Sequence, residues 1–518
     1  MKSRMYIVKW VLVIALLQAP IVEVSAQKKN TATRPTPSKK KTAIPPKLQK
    51  LVRQIHHKSQ VFFLRGGFPA LSVGIVMGDH LVYTHHMGHY NLKTKKKPNN
   101  KTIYRMASIN KVFTAALMQS MKEAGLVRLD DRLQSFMPKN VKVPTDPRGQ
   151  AHITLRHLVT HTSGLPRLPI NLLPKKGDPY ANYPTKDLLT GLNHTQLLSP
   201  IGLKHNYSNL GFALLGYALG HIAKSTYAKE LTKRILKPLG MVDTSLQPAK
   251  KDSHRVAVGY QKLNTKKKAT LWHFGAMAPM GGLYSTLADM AKFVSLQFRA
   301  SQKGIRPLSG GSLHQMHTVH RLISWSDNGN FDGGVGFGWH IYSLKGGRGK
   351  IVWHNGGVAG FRSFVGFSPR YKLGVILFTN CGRSPDPLGR SILESMTKLL
   401  WIPPKYTIDP RFSKLAPLLQ AAIVAKPPQA TLHSFHPLFL QKLSPKRIMG
   451  IFTFLHKKFG KAKGVKLFPS RHKRFARIRF LFARNQYYDC LVGIDGSAQG
   501  RIVYIRFLPP KKNKPKRK

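Results

Sequence analysis

The stretch YRMASINKVFTAALM, residues 104–118, places Ser108 three residues ahead of Lys111 at the start of an apolar run. Residues 112–118 are apolar on nearly every side of a helix, which is typical of a helix at the centre of a domain. The pattern predicts a buried helix from Ser108 to about Ala124, ended by the glycine that follows. We expect the other elements of the domain to pack around this helix.

The serine and the lysine allow two interpretations. Serine is preferred at helix N-termini, so Ser108 can be a cap. The same spacing also recurs by chance in this lysine-rich chain, for example at Ser395 and Lys398. Against this, an amine on a buried helix is desolvated, and desolvation lowers its pKa and makes it a base. Because residues three apart share a helical face, the Lys111 amine can reach the Ser108 hydroxyl, which predicts a nucleophilic serine.

The charge balance is the most unusual bulk property of the 518-residue chain. Its 85 Lys and Arg residues against 19 Asp and Glu residues give a formal net charge of +66. Such an excess indicates polyanionic partners. However, the lysines are spread over the whole chain, and we find neither zinc-finger spacing nor an aromatic-basic RNA-binding signature. We therefore favour adaptation to the cell envelope or to low pH, and expect no specific nucleic-acid partner.

The N-terminus predicts export. A basic start is followed by an apolar run at 10–19 and by small residues at 24–26 that suit a signal peptidase. Because the apolar run is too short to span a bilayer comfortably, we expect residues 1–26 to be a cleaved signal peptide, with an uncleaved anchor as the alternative. The mature protein is then secreted or periplasmic, in association with the envelope, and has no transmembrane helix.

Composition and hydrophobic pattern divide the remaining chain. Residues 27–47, rich in Lys, Thr and Pro, predict a flexible basic linker. Residues 48–404 have strand-like runs at both ends and helices between them, which predicts one sheet built from both ends and a helical insertion. After a Pro-rich linker at 405–430, residues 431–510 predict a small α+β domain, and residues 511–518 form a basic tail.

The expected elements of both domains follow from local pattern. A hairpin is predicted where Gly78-Asp79 separates two β-branched runs. The other strands of the larger domain are expected at 335–342, 350–354, 361–367 and 373–379, before a helix at 387–400. The smaller domain is expected to contain a helix at 444–459 and strands at 464–468, 475–482, 487–494 and 501–507.

The two cysteines, Cys381 and Cys490, lie far apart in sequence and have no neighbouring metal ligand at zinc spacing. Two cysteines do not make a disulfide framework, so we expect free, buried thiols. We predict no metal and no cofactor.

Further motifs accompany the Ser108–Lys111 pair. They are ITLRHLVTHTSGLP at 153–166, Tyr207-Ser208-Asn209, GGLYSTLADMAKF at 281–293, and His354-Asn355-Gly356 followed by Gly357. In this order they resemble the motifs of the serine β-lactamase and penicillin-binding protein superfamily, in the branch of class C β-lactamases and their D,D-peptidase and esterase relatives. The resemblance covers about 48–400. It implies an α/β (α+β) fold with a β-lactamase-like antiparallel sheet and a helical subdomain.

The resemblance implies three catalytic residues. Ser108 would be the nucleophile that forms an acyl-enzyme, and Lys111 would accept and return the serine proton. Tyr207, with its pKa lowered by neighbouring cations, would pass a proton to the leaving group and later activate water. Whether Lys111 or Tyr207 is the base stays open at this level.

The resemblance also implies the substrate-binding residues. Asn209 would orient Lys111 and the substrate amide. The backbone amides of Ser108 and Gly357 would form the oxyanion hole, next to Gly356 of the same motif. His354 would line the substrate side of the cleft.

His354 departs from the β-lactamase pattern, which usually has lysine at that position. Histidine is weakly charged at neutral pH and would bind a substrate carboxylate less firmly, so a D,D-peptidase or an esterase is expected rather than a true β-lactamase. In an acidic compartment, we expect His354 to become protonated and to act like lysine.

The sequence supports two functions of different classes. The first is an exported serine hydrolase that cleaves an amide or ester in a small peptide, ester or β-lactam-like substrate, with contact to the cell wall. The second is a non-catalytic envelope protein that binds peptidoglycan or another anionic polymer. The intact set of Ser108, Lys111, Tyr207 and Asn209 favours the serine hydrolase over the binding protein. The small C-terminal domain resembles the cystatin-like or NTF2-like domains of some β-lactamase relatives.

Overall fold

The computed structural model describes residues 46–508. Within that range it leaves out 147–148, 150, 174–176, 182, 262–266, 300–306, 324–332, 345–347, 402–408, 425–426, 471–473, 484–485 and 498. The expected signal peptide, residues 27–45 of the expected linker and the basic tail lie outside the described residues. The chain divides into two compact units, Met1–Trp401 (unit 1) and Ile402–Lys518 (unit 2).

Unit 1 combines one large sheet with helices from the middle of the chain. Its helices are α1 (Pro46–Gly66), α2 (Asn110–Glu123), α3 (Leu155–Val159), α4 (Thr185–Asn193), α5 (Asn209–Ile222), α6 (Tyr227–Leu231), α7 (Ala278–Gly281), α8 (Leu287–Gln297), α9 (Gly310–Met316) and α10 (Asp386–Leu400). Its strands are β1 (Ala70–Met77), β2 (His80–Gly88), β3 (Tyr104–Arg105), β4 (Tyr284–Ser285), β5 (Arg321–Ile323), β6 (Gly333–Val335), β7 (His340–Ser343), β8 (Lys350–Val358), β9 (Phe361–Ser368) and β10 (Leu373–Thr379).

The large sheet is antiparallel and draws strands from both ends of unit 1. Its order is β2-β1-β10-β9-β8-β7-β6-β5, so the first strand of the chain lies beside the last. The tight turn between β1 and β2 contains Gly78 with φ of +55°, which glycine adopts without steric cost. The predicted sheet, built from both ends of the domain, is confirmed.

The sheet is covered by helices on both faces, which explains why its central strands are apolar throughout. Along β10, Val375 and Leu377 face a core shared with α1 and α10, whereas Ile376 and Phe378 face a larger core that contains α2, α5 and α8. Every residue of β10 is buried. The result is a three-layer domain in which α2 lies at the centre of the helical layer.

The expected single strand at 335–342 is wrong, because the chain turns between β6 and β7. Gly338 at this turn has φ of +69°, and its amide donates to the carbonyl of Val159. A Cβ at Gly338 would lie 3.1 Å from the carbonyl oxygen of Lys111. The strand is therefore interrupted where the backbone approaches α2 closely. Sequence pattern also missed α1 and the two-stranded ribbon of β3 and β4.

Unit 2 is a four-stranded antiparallel sheet with helices and a separate hydrophobic core. Its helices are α11 (Arg411–Ala421), α12 (Pro437–Lys442) and α13 (Pro445–Phe459), and its strands are β11 (Gly464–Pro469), β12 (Phe475–Leu481), β13 (Tyr487–Ile494) and β14 (Ile502–Leu508), in that spatial order. Alternate residues of β12, such as Ile478 and Phe480, are buried with Ile448 and Phe452 of α13. The predicted helix followed by four strands is confirmed.

The expected linker at 405–430 is wrong. Residues 411–421 form α11, in which Phe412 and Leu419 are fully buried in the unit 2 core. The prolines of this region had suggested an open chain, but the apolar residues of α11 recur on one helical face.

The two thiols, Cys381 and Cys490, are free and buried, as the sequence predicted. Across the described residues, no helix combines the length and the apolar character needed to cross a membrane.

Candidate functional site

Ser108 lies in a short 3-10 turn, Ala107–Ile109, that leads directly into α2. The cap of α2 is Ile109, which is already helical, and no side chain caps this end. The interpretation of Ser108 as a helix cap is therefore wrong. The preceding residue, Ala107, has φ of +48°, a strained conformation for alanine of the kind that clusters at functional sites.

Lys111 is fully buried in the first turn of α2. Its Nζ lies 3.1 Å from Ser108 Oγ and donates to the carbonyl of Met280 at 2.7 Å. Burial, assisted by the nearby positive charge of Arg167, holds the pKa of Lys111 well below the ordinary lysine value. The amine next to Ser108 is therefore suited to accept a proton.

The first turns of α2 are fixed against α7 by three consecutive carbonyls. Asn110 donates to the carbonyl of Ala278 at 2.6 Å, and Thr114 donates to that of Pro279 at 2.8 Å. The Lys111 amine completes this set at Met280. The serine and the lysine are thus held by backbone acceptors from a segment almost 170 residues further along the chain.

Tyr207 faces the Ser108–Lys111 pair from the loop before α5. Its ring centroid is 5.0 Å from Lys111 Nζ and 5.1 Å from Arg167 Cζ, and its hydroxyl hydrogen-bonds to Ser108. Burial raises the pKa of Tyr207 to about 12, and the hydrogen bond to Ser108 and the charge of Arg167 offset only part of that effect. The expectation of a lowered Tyr207 pKa is therefore wrong, because desolvation outweighs the cations.

The loop before α5 is held by His161, whose φ is +57° and whose Nδ1 accepts from the amide of Ser208 at 3.0 Å. Ser208 caps α5, and its Oγ accepts from the amide of Gly211 at 2.8 Å. The side-chain oxygen of Asn209 is buried and has no hydrogen-bond partner among the described residues. Asn209 lies beside the site, but no hydrogen bond joins it to Lys111 in the described structure.

The third motif lies on β8, but its histidine does not face the cavity. His354 is buried, and its Nδ1 donates to the carbonyl of Asn355 at 2.6 Å. Burial, followed by the neighbouring His340 and Lys111, holds the pKa of His354 well below the ordinary histidine value. This direction runs against the expectation that His354 becomes a lysine-like cation in mild acid, because burial disfavours the charged imidazole.

A cavity of about 480 Å³ opens on the serine. Its lining comprises Ser108, Arg167, Tyr207, Asn355, Gly356, Gly357, Arg362, Ser384 and Asp386. Of the residues predicted from the sequence, Ser108, Tyr207, Gly356 and Gly357 are in this lining, whereas Lys111, Asn209 and His354 are behind or beside it. A cavity of this size matches a small-molecule site.

Sequence reasoning missed the charged residues of the lining. Arg167 directly follows the Gly-Leu-Pro end of the 153–166 motif, a position that could have been noted. Arg362 lies opposite Gly357 in the β8–β9 register, and Asp386 begins α10. The positions of Arg362 and Asp386 at the cavity depend on the tertiary fold and could not be predicted from sequence spacing. Within the described parts of the chain, no His, Cys, Asp or Glu side chains are grouped so that they could hold a metal ion.

Comparison with known proteins gives the family. Residues 48–393 match the Beta-lactamase family model. The chain belongs to the β-lactamase family. The matched range covers all of the described motifs and ends within α10.

Curated relatives in this family include one whose name states an activity. The chain is 27% identical over 328 residues to the D-alanyl-D-alanine-carboxypeptidase/endopeptidase AmpH of Escherichia coli, a match that covers 62% of this chain and 82% of that protein. It is 29% identical over 332 residues to the human putative beta-lactamase-like 1, where the match covers 62% of this chain and 63% of the human protein.

Solved structures agree with the fold of the β-lactamase family. A β-lactamase/D-alanine carboxypeptidase of Yersinia pestis, complexed with citrate, is 26% identical with a TM-score of 0.58, over 68% of this chain and 99% of that one. An octameric penicillin-binding protein homologue of Pyrococcus abyssi is 22% identical with a TM-score of 0.58, over 87% of this chain and 92% of that one. The second match shows the fold alone.

Proposed function

We propose that this protein is a serine hydrolase that cleaves an amide or ester bond through an acyl-enzyme on Ser108. One observation carries the proposal: a buried amine with a lowered pKa lies 3.1 Å from a serine hydroxyl that opens into a cavity. A structural lysine would instead be paired with an acid or exposed to solvent.

The arrangement supports Lys111 as the base and Tyr207 as the proton donor. As Ser108 Oγ attacks the substrate carbonyl carbon, its proton moves to the neutral Lys111 amine. The Tyr207 hydroxyl, with a pKa of about 12, is protonated at neutral pH and can donate to the leaving group as its bond to carbon breaks. Water then attacks the carbonyl carbon of the acyl-enzyme and gives a proton to the Tyr207 phenolate, while the bond to Ser108 Oγ breaks and that oxygen regains its proton from Lys111.

A D-amino-acid peptide is the substrate class we propose. The support is the activity named for two relatives, the E. coli D-alanyl-D-alanine-carboxypeptidase/endopeptidase and the Y. pestis β-lactamase/D-alanine carboxypeptidase. The absence of a lysine from the third motif argues against a specialised β-lactamase. Export through the basic and apolar N-terminus remains part of the proposal, because cell-wall peptides lie outside the cytoplasm.

The test is intact-mass analysis after incubation with a fluorophosphonate and, separately, with a penicillin. Wild-type protein is expected to gain the mass of one phosphonyl group, and Ser108→Ala is expected to gain none. Ser395→Ala removes a serine with the same spacing to a lysine and should keep the adduct. Reaction with penicillin as well would indicate a D,D-peptidase-like site. Folded wild-type protein that reacts with neither probe would contradict the proposal and would favour the non-catalytic envelope protein.

A further inference from the structure

A second cavity of unit 1 lies between α1 and α10 and is called the α1–α10 cavity below. Its lining shares no residue with the lining that contains Ser108. Its volume of about 470 Å³ is near the lower end of the range for small-molecule sites, which suits one short chain better than a two-chain lipid. We infer that this cavity binds a small amphiphilic carboxylate, in which one aliphatic chain carries an anionic head group. The inference goes beyond the proposed function and does not depend on it.

One face of α1 supplies both the charged and the apolar parts of this lining. Four of its residues follow the i, i+3, i+4, i+7 spacing that brings side chains onto one helical face: Lys58, Val61, Phe62 and Arg65. The two cations are at the ends of this row, and the half-buried Val61 and Phe62 lie between them. Leu388 of α10, which is buried, adds to the apolar part. The site therefore offers an aliphatic chain a place to bind next to positive charge.

The Lys58 amine is held only by neutral acceptors. Its Nζ donates to Ser391 Oγ at 3.0 Å and to Ser395 Oγ at 2.8 Å, both on α10. Among the described residues, Lys58 forms no ion pair. The two hydrogen bonds join α1 to α10, but hydroxyl groups do not neutralise a charge. An ammonium group has three donors, so one remains for an anion in the cavity.

Two arginines extend the positive charge along the cavity, at the C-terminal end of α1. Arg383 donates through Nη1 to the carbonyls of Arg65 and Gly66, at 3.4 and 3.3 Å, and the helix dipole offsets part of its charge there. The Arg65 side chain is exposed at the same end. None of the described lining residues is acidic. The charge of this lining therefore favours an anionic ligand.

The chain's own composition argues against the protein as the ligand. The segments at 27–45 and 511–518 contain basic residues and no acidic ones, and a second copy carries the same formal charge of +66. With so many basic residues in the chain, a cluster of cations on an open surface would indicate little. Here the cations surround a concave site with an apolar centre, so the ligand that fits has both an anionic group and an aliphatic chain.

The experiment is calorimetric titration of the full-length chain with three compounds. Octanoate has both the carboxylate and the chain, acetate has only the carboxylate, and octanol has the chain without the charge. Octanoate is expected to bind at least about tenfold more tightly than either of the others, because only octanoate uses both parts of the lining. Equal affinity for acetate would mean an adventitious ion only, and equal affinity for octanol would mean an apolar site only. Either result, or no binding of octanoate, would overturn the inference.

Substitutions locate the bound octanoate. Lys58→Gln should weaken binding about tenfold, since it removes the charge and keeps a side chain that can hydrogen-bond to the serines. Arg65→Gln should weaken it about two- to threefold, because Arg65 is exposed, and it serves as the test if Lys58→Gln does not fold. Arg53→Gln removes an exposed charge of α1 outside the cavity, and Arg362→Gln removes a cation of the catalytic cavity. Both controls should keep the wild-type affinity. Weaker binding in Arg362→Gln, with Lys58→Gln and Arg65→Gln unchanged, would place octanoate in the catalytic cavity and contradict the inference.

Discussion

At the scale of single residues, Lys111 should make stability depend on pH. Because burial lowers the native pKa of Lys111, the folded protein releases this proton at a lower pH than the unfolded chain does, so stability from this residue rises with pH and is lost as pH falls. Relative to Lys111→Met, the wild-type free energy of unfolding should rise with pH, by up to about 1.4 kcal/mol per pH unit, until the pH reaches the unfolded lysine pKa of about 10.4. Urea unfolding of both proteins at a series of pH values measures this difference in the free energy of unfolding.

Lys50→Met is the control for that experiment, since Lys50 is exposed on α1. Its difference from the wild type should not change with pH. A Lys111→Met difference that is equally flat would mean that Lys111 is protonated in the native protein, and would remove the base from the proposed mechanism.

The close approach of Ser108 and Lys111 could be predicted from sequence because it is local, with the two residues three positions apart where a short turn leads into α2. The roles of His354 and Tyr207 could not be assigned correctly, because their pKa values depend on burial by distant elements. The presence of Arg167 and Arg362 at the cavity could not be predicted either. Their positions at the cavity follow from a loop conformation and a strand register, which spacing alone does not specify.

At the scale of elements, β8 lies directly against the turn that carries Ser108. A Cβ at Gly356 would lie 2.1 Å from the carbonyl oxygen of Met106 and 2.3 Å from Ser363 Oγ. Gly356→Ala should therefore push β8 away from the turn, lower the free energy of unfolding by about 1–3 kcal/mol and slow fluorophosphonate labelling. The three atoms nearest to a Cβ at Gly357 all belong to the flexible Arg362 guanidinium, the closest at 3.1 Å.

Gly357→Ala is thus the matched comparison for stability, and it should lower the free energy of unfolding by less than about 1 kcal/mol. Thermal and urea unfolding of both variants measure the difference. Equal destabilisation would show that the close approach of Gly356 to Met106 is not a constraint.

Local pattern did predict β8, β9 and β10 within a few residues, because all three are short apolar runs with clear turn signals. It did not predict the break at Gly338, which tertiary contact imposes.

At the scale of the whole molecule, the two units have separate hydrophobic cores, and each unit has one buried thiol. Phe412→Ala removes a fully buried ring of α11 and should destabilise unit 2 by about 3–5 kcal/mol. Alkylation of Cys490 in native buffer should then accelerate, while that of Cys381 in unit 1 should keep its wild-type rate. Peptide mass spectrometry separates the two rates.

Leu418→Ala provides the control on the same helix, because Leu418 is 54% exposed and its truncation should cost less than about 1 kcal/mol. Acceleration at both cysteines by Phe412→Ala would show that the two units unfold together.

The sequence had assigned α11 to a linker because two Pro-Pro pairs, at 403–404 and 427–428, flank it. The helical spacing of Phe412, Leu415 and Leu419 was the stronger signal.

The contact between α2 and α7 has a consequence for how this site can vary. The three acceptors at residues 278–280 are carbonyl oxygens, which every amino acid supplies. Substitutions there change how the side chains fit, as with Pro279 against Gly216, but leave the hydrogen-bond acceptors of α2 in place. The contact at this position depends on the backbone conformation and not on which amino acids are present. Two chains can therefore share this part of the site with no matching residue in it.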